Sequence, residues 1–446
     1  MKNTSTSSSY YFCKQCNYKT YQWFGKCPVC KTWNSVSKYT TINSAHAYRL
    51  KDIKIKQLSK YKTQINEFDN IMGGGIVPDS LILIGGAPGV GKSTLMLHIA
   101  SKLSNLGLVL YVSGEESVLQ IKSRATRIEI SEQNIFLLSE TNIYNIVNII
   151  CEMHPMFVII DSIQTMYCQD FGTSSGTVIQ IKEIATQLLQ LAKTHNITIF
   201  ILGHITKDGY LAGPKILEHV VDTVLYFENE KYNTYKILRV YKNRFGPTNE
   251  IGFFKMSSFG LSEVLDTSLI YYRDNNTINI AGNIVTVAIE GTRPIILEVQ
   301  ALTVKSEFSI PRRMSTGYDI KRIMILIAVI EKRLNIPINM HNIDIFINIA
   351  SGIKIKETAI DAAIVSAIIS AILEFICPKD IIICGELGLS GEIRPISFIT
   401  KRLLEAEKLG FKKAIIPIGN LNNITYTGKM AILEAKDIST MLQFIK

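Results

Sequence analysis

The chain has 446 residues, 47% of them hydrophobic and 19% charged, which is material for two or three packed domains and excludes a mainly disordered chain. Its formal net charge is +10, and the whole excess lies at the N-terminus, where residues 1–62 carry twelve Lys and Arg against one acid, Asp52. A basic head on a near-neutral body points to a polyanion, nucleic acid first, although basic tails are also common in Lys-, Asn- and Ile-rich chains.

The opening segment, Met1 to Tyr10, is polar and has no apolar core of the secretory kind. The longest apolar run, Ala362 to Leu373, is too short to cross a bilayer and reads as a buried helix, so no membrane partner is expected. Four of the eight cysteines are scattered among apolar neighbours, which is not a disulfide framework; a cytoplasmic protein is expected.

The other four form Cys13-x-x-Cys16 and, ten residues on, Cys27-x-x-Cys30. Each pair lets two thiolates face one ion, and the gap permits a hairpin that brings the pairs together, so the spacing predicts a structural Zn²⁺ site within a ribbon over 1–35. A module this small buries little core, and metal binding supplies most of its folding free energy. Trp23, Phe24 and Trp33 either stack on bases or pack the ribbon. Residues 36–60 read as a basic, polar linker without helical or strand period.

From 61 to 260 apolar strands alternate with helices, the pattern of an α/β domain with a parallel sheet. The run Gly86, Ala87, Pro88, Gly89, Val90, Gly91, Lys92, Ser93, Thr94 follows an apolar strand, Leu81 to Ile84, and opens an amphipathic helix ending at Leu103. This is a full phosphate-binding loop in the context it requires, so ATP and Mg²⁺ are expected cofactors. Lys92 should reach the β- and γ-phosphates, and Ser93 should ligate Mg²⁺. A strand expected beside the loop strand, Phe157 to Ile160, ends in Asp161, placed to hold the Mg²⁺ shell. The strand Leu108 to Ser113 ends before Glu115, a candidate base for the attacking water, and the strand Ile197 to Leu202 ends before His204, where an imidazole could feel the γ-phosphate.

Five strings then occur in order: Tyr111-Val-Ser-Gly-Glu-Glu-Ser117, Asp161-Ser-Ile-Gln-Thr165, Gly203-His-Ile-Thr-Lys-Asp-Gly209, Leu211-Ala-Gly-Pro-Lys215 with Leu217-Glu-His219, and Lys242-Asn-Arg-Phe-Gly246. Together with the zinc module they resemble the bacterial RadA (Sms) family of DNA repair proteins, relatives of the RecA recombinase, over nearly the whole chain. The resemblance implies a RecA-like ATPase domain in a homo-hexamer that acts on single-stranded and branched DNA, extending heteroduplex by branch migration. It further implies that Lys242 and Arg244 reach a neighbouring subunit's ATP, with DNA phosphates or strand capping as the alternative. The loops Thr165 to Thr177 and Thr206 to Lys215 resemble pore loops, the latter with Lys207 and Lys215 as phosphate contacts. A RecA-type recombinase or a replicative helicase is the expected protein partner.

From about 261 to 446 the pattern becomes α+β. Gly291-Thr-Arg-Pro294, Pro311-Arg-Arg313 and Gly385 to Pro395 resemble the proteolytic domain of Lon proteases. That resemblance raises an alternative function, an ATP-dependent protease. Lon chemistry needs a Ser nucleophile and a neutral Lys, whereas Asp361 stands at the Ser position and Thr400 or Arg402 at that of the Lys. An inactive scaffold is expected, with Arg313, Arg322 and Lys354 as candidate DNA contacts. A second alternative is a non-enzymatic, ATP-binding adaptor for a helicase or recombinase.

Overall fold

The computed structural model describes residues 8–16, 18–20, 23–41, 49, 59–130, 133–204, 216–229, 235–248, 250–257, 259–264, 280–307, 310–334, 340–349, 354–422 and 426–445. They belong to two compact units, 1–58 and 59–446.

In the first unit three strands, β1 (Ser8–Cys13), β2 (Lys19–Thr20) and β3 (Val36–Thr41), form an antiparallel sheet in the order β2-β1-β3. The ribbon therefore runs past residue 35 into the expected linker. Strand β3 escapes a local reading because its partner, which sets Val36 against Cys13, lies more than twenty residues away. The rest of the expected linker lies mostly outside the described residues.

In the second unit, α1 (Asn66–Ile71) precedes β4 (Leu81–Gly86), α2 (Lys92–Leu103), β5 (Val109–Ser113), α3 (Val118–Arg127), β6 (Ile135–Ser139) and α4 (Ile143–Met153). There follow β7 (Phe157–Asp161), α5 (Val178–His195), β8 (Thr198–His204), α6 (Ile216–Val220), β9 (Thr223–Asn229), β10 (Tyr235–Asn243), β11 (Ile251–Ser257) and β12 (Gly260–Glu263). The strands make one nine-stranded sheet in the order β12-β11-β10-β9-β4-β8-β7-β5-β6. The six from β9 to β6 are parallel and the three at the other end antiparallel. Strands β4, β5 and β7 are buried along their whole length, as continuous apolar runs covered on both faces should be. Helix boundaries follow local chemistry. Ser117 and Gln120 form a reciprocal capping box at the start of α3, Asn142 caps α4, and Asn196 ends α5 in the left-handed conformation.

One expectation is corrected here. The Asp161 strand does not adjoin the loop strand, because β8 lies between β4 and β7. The insertion puts His204, at the end of β8, directly beside Gly86 in the ladder.

The C-terminal half is α+β. Its strands β13 (Asn283–Glu290), β14 (Arg293–Lys305), β15 (Arg313–Thr316), β16 (Ile343–Ile349), β17 (Ile381–Ile383), β20 (Lys413–Pro417) and β21 (Ala431–Ala435) form a mixed seven-stranded sheet, while β18 (Glu386–Leu387) pairs with β19 (Ile393–Arg394). The helix Asp361–Leu373 is buried almost throughout, as its apolar run requires. Ile237, Ile251 and Phe253 from β10 and β11 share a core with Ile284, Ile295 and Leu297 from β13 and β14. At that junction the fully buried Glu67 takes a two-pronged hydrogen bond from Arg293 (2.6 and 2.7 Å) and a third from the Phe253 amide (2.8 Å). Thr292 bonds Glu250 and Arg239 pairs with Glu290 on the same side. Among the described residues no helix is long and apolar enough to cross a membrane.

Candidate active site

The carboxyl ends of β4, β5, β7 and β8 lie at one edge of the sheet, with Gly86 registered against His204 and Ser113 against Asp161. The loop from Gly86 to Ser93 curls over that edge. Gly89 and Gly91 adopt φ of 74° and 111°, and a Cβ on Gly86 would meet the Phe227 carbonyl oxygen at 2.6 Å, so these positions need glycine. Lys92, buried at the start of α2, donates from Nζ to the carbonyls of Gly86 (2.8 Å) and Ala87 (3.1 Å). Burial pulls its ammonium below the ordinary lysine value, against the nearby charges of Asp161 and Glu115.

His204 bridges this lysine to a carboxylate, with Nδ1 3.3 Å from Lys92 Nζ and Nε2 2.9 Å from Glu115 Oε1. An ammonium only donates, so Nδ1 accepts and the ring proton sits on Nε2, pointing at Glu115; the network assigns the neutral tautomer. Glu115 also accepts from the Ser162 hydroxyl. Burial alone would raise its carboxyl, but the hydrogen bonds from Ser162 and His204 and the charge of Lys92 hold it below the usual range.

Asp161 is buried, and its Oδ2 accepts from the Tyr111 hydroxyl at 2.6 Å. Burial pushes its carboxyl up, while hydrogen bonds from Tyr111 and Ser93 oppose that rise. A buried carboxylate beside a hydroxyl is the donor set an oxygen-seeking Mg²⁺ takes, and Ser93 with Asp161 would hold it. The sequence reading missed Tyr111. Its signal was a polar tip in an apolar strand, two residues before the edge at which Asp161 sits.

Lys242 and Arg244 lie elsewhere. Lys242 pairs with Val224 in the ladder, at the end of β9 that flanks Leu83 and not Gly86. At about 3.3 Å per residue, this is roughly 10 Å along the strand from the phosphate loop. Lys242 donates to the carbonyls of Glu218 (2.5 Å), within α6, and Val221 (2.9 Å), just after it, and Arg244 pairs with the buried Asp222 at 3.2 Å. Neither reaches the loop of its own chain.

Of the candidate DNA contacts, Lys207 and Lys215 lie outside the described residues. Lys354 is exposed. The Arg313 guanidinium donates to the carbonyls of Arg312, Met340 and Ile343, and burial lowers it. Arg322 makes a close ion pair with the fully buried Asp361, which also accepts from Tyr318 (2.8 Å) and the Leu387 amide (3.2 Å). Arg402 is fully buried as well and pairs with Glu357, whereas Lys401 reaches outward to the Thr292 carbonyl. Where a serine–lysine pair would need a hydroxyl and a neutral amine, two arginine–carboxylate pairs stand.

In the ribbon, the Sγ atoms of Cys13, Cys16, Cys27 and Cys30 all lie within 4.8 Å of one another, with Cys13–Cys30 and Cys16–Cys27 at 3.5 Å. Tetrahedral Zn–S bonds of about 2.3 Å imply sulfur separations near 3.8 Å, so the four thiolates fit a Zn²⁺.

Comparison with known proteins matches three regions to family models: "AAA domain" over 44–210, "Rubredoxin metal binding domain" over 11–38 and "Subunit ChlI of Mg-chelatase" over 324–420. A DNA repair protein RadA of Bacillus subtilis is 44% identical, with 98% of each chain covered. The protein of that name from Campylobacter jejuni is 40% identical, with 97% of this chain and 98% of its own covered. A KaiC-like protein from Pyrococcus horikoshii aligns with 46% of this chain and 99% of its own, at 17% identity and a TM-score of 0.40.

Proposed function

The chain belongs to the RadA family of DNA repair proteins, and on that premise we propose that it is a DNA-dependent ATPase that extends heteroduplex by branch migration on single-stranded and branched DNA. The observation that supports this most directly is the continuous contact from Lys92 through His204 to Glu115, across the edge where the phosphate loop opens.

In this reading Lys92 leaves the loop carbonyls for the β- and γ-phosphates when ATP enters, since a triphosphate is the stronger acceptor. His204 then loses the donor on Nδ1, and the imidazole carries the presence of the γ-phosphate to Glu115. Glu115, kept ionised by its neighbours, orients and deprotonates the attacking water. Mg²⁺ held by Ser93 and Asp161 would neutralise charge on the β- and γ-oxygens.

Lys242 and Arg244 act in trans in this proposal, on a neighbour's nucleotide within a homo-hexamer. Their distance from their own loop favours that role, and a cation supplied across a subunit contact couples hydrolysis to ring geometry. The C-terminal half is a scaffold without proteolytic chemistry, because its Asp361 and Arg402 are both consumed in ion pairs. The protein works in the cytoplasm beside a RecA-type recombinase or a replicative helicase.

A labelled three-strand DNA junction tests the activity. The proposal expects ATP-dependent extension of the heteroduplex by the native chain and none by Lys92→Ala. Absence of extension by the native chain, at protein concentrations that saturate the junction, overturns it.

A further inference from the structure

The three aromatic residues of the ribbon, alike in sequence, differ in the structure. Phe24 is part-buried against Tyr18, ring centroids 6.0 Å apart. Trp23 and Trp33 are each 68% exposed. Both indoles converge on Gly25: a Cβ there would lie 3.4 Å from Trp23 Cη2 and 3.8 Å from Trp33 Cζ3. Lys26 pairs with Trp33 across an isolated bridge, its Nζ 5.6 Å from the ring centroid. Lys14 and Lys31 are exposed on the same small module, and no Asp or Glu occurs before Asp52.

Two large apolar rings left two-thirds in water bring the fold little burial energy, so packing alone does not explain them. Their setting selects an occupant. A surface with exposed lysines and no acid favours a polyanion. Open indole faces accept unpaired bases, which stack on aromatic rings without regard to sequence. A duplex keeps its bases inside its own stack, and the carboxylates of an acidic peptide are disfavoured over the negative faces of the indoles. We infer that Trp23 and Trp33 form a stacking site for unpaired DNA bases on the metal ribbon, with Lys14, Lys26 and Lys31 beside the strand's phosphates. The inference deepens the proposed function, in that it takes DNA as the partner, but the site is separate from the phosphate loop and needs no nucleotide.

The test uses the full-length, zinc-loaded chain without ATP. Trp23 and Trp33 are its only tryptophans, so indole emission reports on this site alone. Titration with oligothymidylate should quench that emission in step with the anisotropy of a labelled strand. An abasic oligonucleotide of equal length keeps the phosphates and should bind without the quench. Trp23→Ala and Trp33→Ala should each weaken oligothymidylate binding about tenfold, with bound zinc and the salt dependence of binding unchanged. Strand binding that leaves the emission unaltered overturns the inference, as does equal quenching by the abasic strand. Full oligothymidylate affinity in the double variant, with loss of grip on a protein partner, assigns the patch to protein and overturns it too. Quenching without any stimulation of ATP hydrolysis sinks the motor proposal and leaves the stacking site standing.

Discussion

Tyr111 and Asp161 meet inside the sheet, hydroxyl to carboxylate at 2.6 Å, from adjacent strands and with both side chains buried. The carboxylate proposed above to hold Mg²⁺ is thereby fixed in direction by the hydroxyl of a neighbouring strand. Tyr111→Phe removes the donor and little volume. A hydrogen bond to a charged group is worth about 1.5–3 kcal/mol. The variant should therefore need more Mg²⁺ and turn over roughly tenfold more slowly, with ATP affinity kept. A Mg²⁺ titration of steady-state hydrolysis reads this directly, and an unchanged Mg²⁺ requirement refutes the positioning role.

Glu115→Gln removes the proposed base and leaves the pocket's shape. Hydrolysis should fall by about 10²–10⁴-fold while nucleotide binding persists. The pH profile carries a further sign. Ser162, His204 and Lys92 bring the Glu115 carboxyl below the usual range, so the acid limb of the rate should lie below the ordinary carboxyl value of about 4.3. His204→Ala deletes one hydrogen-bond donor to this carboxylate. Its acid limb should move to higher pH, and a limb that stays in place contradicts the contact.

Much of this edge of the sheet was legible in the sequence. A glycine loop between an apolar strand and an amphipathic helix admits few other readings, and strand ends mark where Asp161, Glu115 and His204 emerge. What one pass along the chain could not show was strand order. That β8 separates β4 from β7 depends on pairing between distant segments, and it is why His204 touches both Lys92 and Glu115. Two arginines were hard to place for a related reason. Arg313 and Arg322 look like free cations in sequence, but apart from the adjoining Arg312 carbonyl their acceptors lie 27 to 65 residues further on. The Glu67–Arg293 pair spans 226 residues and leaves no local trace.

That pair yields a stability prediction. Glu67 has no exposed surface, so Arg293→Ala leaves a buried carboxylate with only the Phe253 amide. Breaking one side of a buried ion pair costs about 3–5 kcal/mol. Thermal unfolding should begin well below that of the native chain. Replacing both partners at once, Glu67→Gln with Arg293→Met, should recover part of the loss. A single variant as stable as the native chain removes the pair from the junction between the two sheets.

Asp361→Ser restores the hydroxyl that a Lon-type site would use, but no free base comes with it, because Arg402 stays charged and bound to Glu357. The variant should degrade no casein, with or without ATP. It should also lose stability, since Arg322 is left without its buried partner. ATP-dependent proteolysis by this variant would reinstate the protease reading.

Hydrolysis of ATP by the purified chain, followed at steady state with and without single-stranded DNA, tests the central claim most directly. A DNA-coupled motor requires the rate to rise when the strand is added, the rise to weaken with salt, and both rates to vanish in Lys92→Ala. One rate, the same with the strand saturating as without it, would contradict the coupling of this nucleotide site to DNA.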